Sequence, residues 1–370
     1  MELTALDVRY AARELAALRG ARVQKIVQSD TEKRDVLLTL YVPGREEGKI
    51  HLRFLLPGLV CTHEEKPDRY PQIPPGFAMF LRKYVGGARL ISATQQGFDR
   101  ILRIELEGKL GRWSLVVELI PPGNMILLGE DGKIKNLLEN QHYKDRSLRG
   151  GLLYTQPPAA FDTPNATDGQ IADRIKEATR TSLAAALATS LGLGGAYAEE
   201  ACSRAGIDKS TTTLDDEMLR SLVRAVREIL ELDIAPHKDG ARVYPFKLVG
   251  RPSEPCTTAS FLAALGADVP DTGGGAPRAA AVAKPKANKL QTMLDAQEAN
   301  LVSLREIAVE EQRKADRVYS EYALIKEVID TAQNARSRKE DVAHALKRFS
   351  QVKRYDNATA IVELDVEDDA

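Results

Sequence analysis

Few polar side chains in this sequence stand in a pattern that suggests chemistry, and the first such pair is Asp99 and Arg100. They follow Gly97 after two glutamines, at the predicted start of a strand. From the residues alone, this pattern favours a solvated ion pair or a turn cap. Asp7 lies three residues after Thr4, the spacing of a capping box. Asp7 is therefore interpreted first as part of a helix cap.

A glycine-rich turn at residues 191–195 could seat a phosphate. Its sequence, Leu-Gly-Leu-Gly-Gly, precedes a stretch of helix-forming residues, as in a helix–hairpin–helix element. Gly192 and Gly194 allow a tight turn. The N–H groups of the turn, and of the helix that begins near Gly195, can bind an anion. A plain turn between two packed helices explains the pattern equally well.

Basic and aromatic side chains alternate in the segment 80–84, Phe-Leu-Arg-Lys-Tyr. On a helix, Arg82 and Lys83 could face a polyanion. The residues themselves favour a simpler interpretation, in which Phe80 and Tyr84 pack in the core and Arg82 and Lys83 are solvated.

Other kinds of site find little support. The five histidines show no metal-ligand spacing, and the three cysteines form no Cys-x-x-Cys pair. No nucleophile triad, phosphate-binding Walker loop or carboxylate pair is recognisable. The sequence therefore predicts no catalytic residue, no metal and no cofactor.

The location follows from similar arguments. Three isolated cysteines fit a reducing compartment. The N-terminal segment is an amphipathic helix and not a signal peptide. No apolar stretch approaches the length needed to span a bilayer. We expect a cytoplasmic protein that does not use a membrane.

Charge is distributed unevenly along the chain. The net charge is −1, but residues 1–112 contain 19 Lys and Arg against 14 Asp and Glu, a net of +5. A mildly basic N-terminal region suits an anionic partner, although this excess is weak evidence for nucleic acid.

The element pattern predicts an α+β fold. A capped first helix, short β-branched and apolar runs at 22–27, 35–41 and 49–56, and hairpin turns indicate a mostly antiparallel sheet domain at 1–165. About four short amphipathic helices at 170–235 and a brief return to strand at 242–249 are predicted within 166–268. A Gly-, Pro- and Ala-rich stretch at 269–287 is typical of a flexible linker.

A heptad pattern dominates the remainder, 288–370. Apolar residues recur at spacings of four and three from Leu290 to Ala332, with Gln297 and Glu311 as the polar exceptions. Such a helix reaches about 60 Å. Its seam needs a partner helix, and only a short helix and a strand are predicted after it. We therefore expect the first arm of a coiled coil, taken from a longer protein and able to self-associate.

Several segments together resemble one family. They are Leu-Asp-Val-Arg at 6–9, Arg-Glu-Leu at 13–15, the Pro-Pro-Gly-Phe block at 74–83, Gly-Phe-Asp-Arg-Ile at 97–101, the Pro-Pro-Gly-Asn block at 118–128, the Gly-Ala-Tyr-Ala-Glu-Glu block at 195–208 and Arg-Val-Tyr-Ser-Glu-Tyr at 317–322. In this order they are similar to the N-terminal half of the RqcH/NEMF (NFACT) family, whose bacterial members were once named fibronectin-binding proteins.

The resemblance implies a fold and a function. The family's N-terminal domain is similar to that of formamidopyrimidine-DNA glycosylases, followed by helix–hairpin–helix and coiled-coil regions. Family members bind large ribosomal subunits blocked by peptidyl-tRNA. They recruit tRNA for template-free C-terminal tailing, with alanine in the bacterial type. The family's C-terminal NFACT-R domain and the return arm have no counterpart in this chain.

The resemblance also assigns residues. The family's N-terminal aspartate and its Asp-Arg pair fall on Asp7, Asp99 and Arg100. With Arg82 and Lys83, they are expected to handle tRNA. Arg100 can then contact an RNA phosphate or base, and either aspartate could orient that guanidinium.

Two other functions, a DNA glycosylase/lyase and a surface adhesin, fit the sequence less well. A DNA glycosylase/lyase needs an N-terminal proline amine, a following Glu and usually a zinc finger. Only Glu2 matches, behind Met1. A surface adhesin, as the old family name suggests, would need a secretion signal or anchor, which the sequence does not show. The ribosome-associated binding factor is therefore the preferred hypothesis, acting without enzymatic activity of its own.

Overall fold

The computed structural model describes residues 2–45, 48–67, 70–178, 182–240, 242–267, 269, 309–313, 315–357 and 359–365. The chain divides into two compact units, Met1–Gly273 and Gly274–Ala370. Apart from residue 269, the predicted linker lies outside the described residues, as do the predicted heptad positions before residue 309.

A nine-stranded antiparallel sheet forms the largest part of the first unit, with strand order β4-β3-β2-β1-β5-β6-β7-β8-β9. Each strand pairs with its sequence neighbour, as hairpin connections require, except where α2 (Gly76–Val85) follows β4. The strands are β1 (Arg22–Gln28), β2 (Asp35–Tyr41), β3 (Lys49–Leu55), β4 (Leu59–His63), β5 (Arg89–Gln95), β6 (Ile101–Gly108), β7 (Gly111–Glu118), β8 (Asn124–Leu128) and β9 (Ile134–Leu137).

The pairing of β1 with β5 is short. These strands share one register pair, Arg22 with Arg89, and backbone hydrogen bonds join residues 20–23 to 87–90, whereas β1 and β2 pair over almost their whole length. The sheet therefore consists of a four-stranded and a five-stranded half joined at this junction. A short hairpin follows β9, formed by β10 (Gln141–His142) and β11 (Ser147–Leu148).

Helix α1 (Ala5–Ala17) begins where the sequence predicts. The Thr4 side chain accepts from the N–H of Asp7, and the Asp7 carboxylate accepts from the N–H of Thr4, so the capping box is complete. Apolar residues on the inner face, including Leu6, Tyr10 and Leu15, are fully buried in the main core. Burial of this face stabilises the helix more than its intrinsic propensity does.

Four helices follow the sheet, in the number that the sequence predicts for 170–235. They are α3 (Asp168–Ala178), α4 (Leu183–Ser190), α5 (Gly195–Ala205) and α6 (Asp216–Glu231). A small three-stranded sheet of β12 (His237–Asp239), β13 (Arg242–Tyr244) and β14 (Glu254–Pro255) comes next, and then helix α7 (Phe261–Ala267). The predicted strand at 242–249 is correct only for its first three residues.

Polar side chains of α1 fasten these helices to the sheet. Arg9, Tyr10 and Arg13 donate to the backbone oxygens of Leu230, Ile229 and Leu232, at the C-terminal end of α6. The last carbonyls of a helix have no intrahelical donors, so these contacts complete the end of α6.

The start of α7 is completed in the same way. The carboxylate of Glu14 accepts from the N–H groups of Phe261 and Leu262 and from the Ser260 hydroxyl. Helix α1 therefore provides hydrogen-bond donors to the C-terminal end of α6 and a hydrogen-bond acceptor to the N-terminal end of α7. Both of its segments that resemble the NFACT family, 6–9 and 13–15, take part in these contacts.

The second unit contains helix α8 (Tyr322–Ser337), helix α9 (Val342–Leu346) and a hairpin of β15 (Val352–Asp356) and β16 (Ile361–Leu364). Val328 and Ala335 of α8 are buried with Val342, Leu346 and Phe349. Among the described heptad positions, Val318, Tyr322 and Ile329 are 53%, 57% and 48% exposed, whereas Ala332 packs against the buried residues. The coiled coil remains a prediction.

Candidate nucleic-acid interface

The turn between β5 and β6 presents Asp99 and Arg100. Gly97 adopts a left-handed φ of +59°, a conformation that glycine adopts without a steric penalty. The Asp99 Oδ1 atom accepts from the N–H of Arg100 at 2.7 Å. Asp99 thus caps the turn, as the residue pattern suggests, and its carboxylate is committed to the backbone.

The Arg100 guanidinium lies at the surface. Its side chain is 27% exposed, and its Nη1 atom is 3.5 Å from the Oε2 atom of the exposed Glu2. An exposed ion pair at this distance contributes only about 0–1 kcal/mol to stability. A phosphate could therefore replace Glu2 at little energetic cost.

The Gln95 side chain links this turn to α1. Its Nε2 atom donates to the backbone oxygens of Ala5 and Asp99, at 2.7 Å each. The start of α1 and the Asp99–Arg100 turn are consequently held side by side.

The glycine turn before α5 packs against both of these segments. A Cβ atom added to Gly192 would lie 3.4 Å from the Phe98 ring, and one added to Gly194 would lie 2.9 Å from Cγ2 of Thr4. Gly194 also has a left-handed φ of +79°. These two glycines therefore allow close packing, which is the second interpretation that the sequence left open.

Gly195 differs from the other two glycines. It is exposed, and a Cβ atom added there would meet nothing within 4 Å. It is the first residue of α5, and the N-cap Gly194 has no side chain that could cap the helix. The first N–H groups of a helix lack intrahelical acceptors, so this helix end can accept an anion. We call the turn 95–100, the start of α1 and residues 192–195 together the Arg100 edge.

Asp7 lies beneath this edge and not on its surface. Its side chain is only 2% exposed. One carboxylate oxygen accepts from the Thr4 N–H and hydroxyl, at 2.7 and 2.9 Å. The other accepts a short hydrogen bond from the Tyr197 hydroxyl. Asp7 therefore lies near the Asp99–Arg100 turn but is not part of the exposed surface, because its carboxylate faces the interior.

Arg242 of β13 completes the surroundings of Asp7. Its Nη2 atom lies 3.4 Å from Asp7 Oδ2. Burial raises the pKa of Asp7, and the positive charge of Arg242 and the hydrogen bond from Tyr197 act in the opposite direction. Burial beside Asp7 also raises the pKa of Tyr197 well above its usual range, so this phenol remains a donor.

Sequence reasoning did not identify several residues that shape the edge. Tyr197 and Arg242 lie 190 and 235 positions from Asp7, and no local pattern links such distant residues. Gln95 and Glu2 are ordinary surface residue types. The one available signal was Tyr197, which lies within the Gly-Ala-Tyr-Ala-Glu-Glu block.

Arg82 and Lys83 belong to a different surface. Arg82 donates to the backbone oxygen of Ile26 at 2.6 Å, and Lys83 lies over the Tyr84 ring. Tyr84 is next to Gly108, at the far end of β6 from Arg100. Eight strand residues correspond to about 25 Å, so the fold does not bring this pair to the Arg100 edge.

Within the described ranges, no cluster of three or more His, Cys, Asp or Glu side chains is arranged to hold a metal ion. None of the described helices has both the length and the apolar character needed to cross a membrane.

Comparison with known proteins identifies the family. Residues 4–367 match the family model for the NFACT N-terminal and middle domains. The chain therefore belongs to the NFACT family.

The matched relatives have names from ribosome quality control. The archaeal Rqc2 homolog aRqcH of Methanocaldococcus jannaschii is 28% identical over 91% of this chain and 53% of its own length. The human ribosome quality control complex subunit NEMF is 30% identical over 36% of this chain and 12% of its own. The chain thus spans about half the length of the archaeal relative, and its match to the human protein is much shorter.

A solved structure shares the fold. The N-terminal part of the fibronectin/fibrinogen-binding protein from Streptococcus suis aligns with a TM-score of 0.57 and 21% identity, over 70% of this chain and 97% of that one. At this identity, the likeness is evidence for the fold alone. It supports the mixed architecture with a large antiparallel sheet.

The raised pKa of Asp7 predicts a specific pH dependence for Asp7→Asn. Because the pKa is higher in the folded state, the folded protein binds the proton more tightly. Its free energy of unfolding therefore falls as pH rises from the ordinary aspartate range through the folded pKa. The asparagine variant lacks this titration. The measured quantity is the free energy of unfolding of the parent minus that of Asp7→Asn. We expect this difference to be larger at pH 4 than at pH 7.5, by about 1.4 kcal/mol for each unit by which folding raises the pKa of Asp7.

Urea unfolding of both proteins at the two pH values measures this difference. Asp131→Asn is the control, because hydrogen bonding from Lys135 lowers the pKa of this exposed carboxyl and gives the opposite sign. A parent that gains stability over Asp7→Asn as pH rises would contradict the assignment.

Proposed function

We propose that this chain is the RNA-binding part of a cytoplasmic ribosome quality-control factor. In this proposal it binds large ribosomal subunits obstructed by peptidyl-tRNA and recruits tRNA for template-free C-terminal tailing of stalled chains. Alanine tRNA is the expected tRNA. Family membership and the names of the relatives support the general role.

The observation that carries the tRNA assignment is the placement of Arg100. A partly exposed guanidinium with one weak ion pair lies on the edge that also contains the exposed start of α5 at Gly195. A guanidinium fork and a helix N-terminus both favour phosphate oxygens. Two such features on one edge suit an RNA backbone better than an uncharged ligand.

In this proposal, Asp99 and Asp7 support the site without contacting phosphate, and Arg82 and Lys83 form a separate contact. Asp99 holds the turn that presents Arg100, since its carboxylate is bonded to the backbone. Asp7 positions the start of α1 and the Tyr197 side chain from below. Arg82 and Lys83 form a separate basic contact on α2, suited to another part of the tRNA or to the ribosomal subunit.

The proposed activity is binding and not catalysis. A glycosylase/lyase reaction would require an amine nucleophile, which the sequence does not indicate. Incubation with an abasic-site duplex and borohydride should give neither strand cleavage nor a trapped covalent adduct. Either product would favour the alternative nucleic-acid enzyme.

Arg100→Gln tests the site without disturbing the turn, because Asp99 keeps its backbone hydrogen bond. We expect weaker tRNA binding, and a log–log salt dependence about 0.9 units less steep, as for the loss of one phosphate contact. The melting temperature should stay near that of the parent, because the lost ion pair is exposed. Fluorescence anisotropy with a labelled tRNA transcript across a salt series measures both quantities.

Arg89→Gln is the matched control for Arg100→Gln. Arg89 also forms an exposed ion pair, with Glu107, but it lies at the opposite end of β5. This variant should bind tRNA like the parent. Equal binding by both variants would remove Arg100 from the interface.

Gly195→Val tests the helix end. The valine side chain would extend into open space in front of α5, so it should block a phosphate while changing stability by less than about 0.5 kcal/mol. Gly76→Val is the control, since Gly76 is likewise the first residue of a helix with nothing within 4 Å of an added Cβ. If Gly195→Val folds and binds tRNA as tightly as Gly76→Val, the helix end is only a packing element.

A further inference from the structure

Another cationic surface lies on the helical part of the first unit, in a groove between α3 and α6. The groove has a volume of about 530 Å³ and is lined by residues of both helices. Arg220, Arg224 and Arg227 follow one another on α6 at spacings of four and three, so they share one face of the helix. They span about 10 Å along the axis.

Other charged side chains in and beside the groove form ion pairs. The Arg227 Nε atom is 2.9 Å from Asp168 of α3. Lys176 of α3 lies 3.4 Å from Asp216 of α6. Within the described part of the chain, no such side-chain partner is found for the exposed Arg220 or Arg224. Two guanidinium groups, one helical turn apart, therefore remain available at the rim.

The floor of the groove offers little to an apolar ligand. Leu219 and Val223 are already buried, with only 5% and 6% of their surface exposed. Covering them further would therefore gain little hydrophobic free energy. The available interaction is electrostatic, and the guanidinium fork matches phosphate oxygens in particular. A phosphodiester backbone is therefore favoured over an amphipathic helix.

A chain of hydrogen bonds connects the groove to the Arg100 edge. The Arg227 guanidinium donates to the backbone oxygens of Thr163 and Pro164. The Thr163 hydroxyl in turn donates to the backbone oxygen of Leu191, the first residue of the glycine-rich turn, at 2.7 Å. The wall of the groove thus supports the turn that carries Gly195.

We propose that the α3–α6 groove is a second RNA contact, in which Arg220 and Arg224 bind backbone phosphates of the RNA held at the Arg100 edge. This inference rests on the proposed function, because it extends the same RNA over a second surface. The contact reads charge and shape, so it is independent of base sequence.

The test is the double variant Arg220→Gln/Arg224→Gln of the whole chain, with a labelled tRNA transcript as the probe. Loss of two phosphate contacts should make the log–log salt dependence of binding about 1.8 units less steep. The control is Arg19→Gln/Arg22→Gln, which removes the same net charge from two exposed arginines elsewhere. The control should keep the parent's slope, and both double variants should melt like the parent.

Other results distinguish the failure of the groove proposal from the failure of the proposed function. If the groove variant keeps the parent's slope while Arg100→Gln weakens binding, the groove proposal is overturned and the proposed function stands. If the parent binds no tRNA at low salt, both fail. If the groove variant loses binding to poly-L-glutamate but keeps tRNA, the groove serves an acidic protein partner and the RNA assignment is overturned.

Discussion

The buried carboxylate of Asp7 is the constraint on which the candidate interface depends. A buried charge is costly unless it is paired and hydrogen-bonded. Its partners come from three places along the chain: Thr4 beside it, Tyr197 on α5 and Arg242 on β13. Removing any one of them would leave the carboxylate less satisfied in the interior. The arrangement therefore fixes the start of α1 against the helical part of the unit.

The Arg100 edge follows from this fixed geometry. Once α1 is held against α5, Thr4 lies against Gly194 and Phe98 lies beneath Gly192. Gln95 then completes the contact between α1 and the turn. A partly exposed arginine and an uncapped helix start thereby share one edge, although they come from distant parts of the sequence. The Arg100 side chain can remain weakly bonded because buried side chains hold the segments of this edge in place.

Local signals predicted much of the fold. The capping box of α1, the strand starts at 22, 35 and 49, and four helices between 170 and 235 all follow from spacing and turn residues. Short elements such as β4 and α7 were missed, because they lack a long period and depend on tertiary contacts. Helix α7, for example, takes its N-terminal acceptor from Glu14, more than 240 residues away.

The candidate site was predictable only in its local parts. The sequence singles out Asp99 and Arg100 as a pair. Only the geometry of the turn shows that Asp99 bonds to the backbone while the Arg100 guanidinium lies at the surface. Asp7 was selected as a cap and, through the family resemblance, as a tRNA residue. Its burial could not be foreseen, since the residues that cover it belong to distant segments. The placement of Arg82 and Lys83 likewise depends on how α2 crosses the sheet.

Hydrogen exchange of the chain with and without tRNA tests the central claim most directly. The account predicts slower exchange, on tRNA binding, of backbone amides at 96–101 and 195–198, where the turn and the start of α5 form the Arg100 edge. Amides around Asp7 should exchange slowly in both states, because this region is buried. Protection confined to α2, with unchanged exchange along the Arg100 edge, would contradict the account.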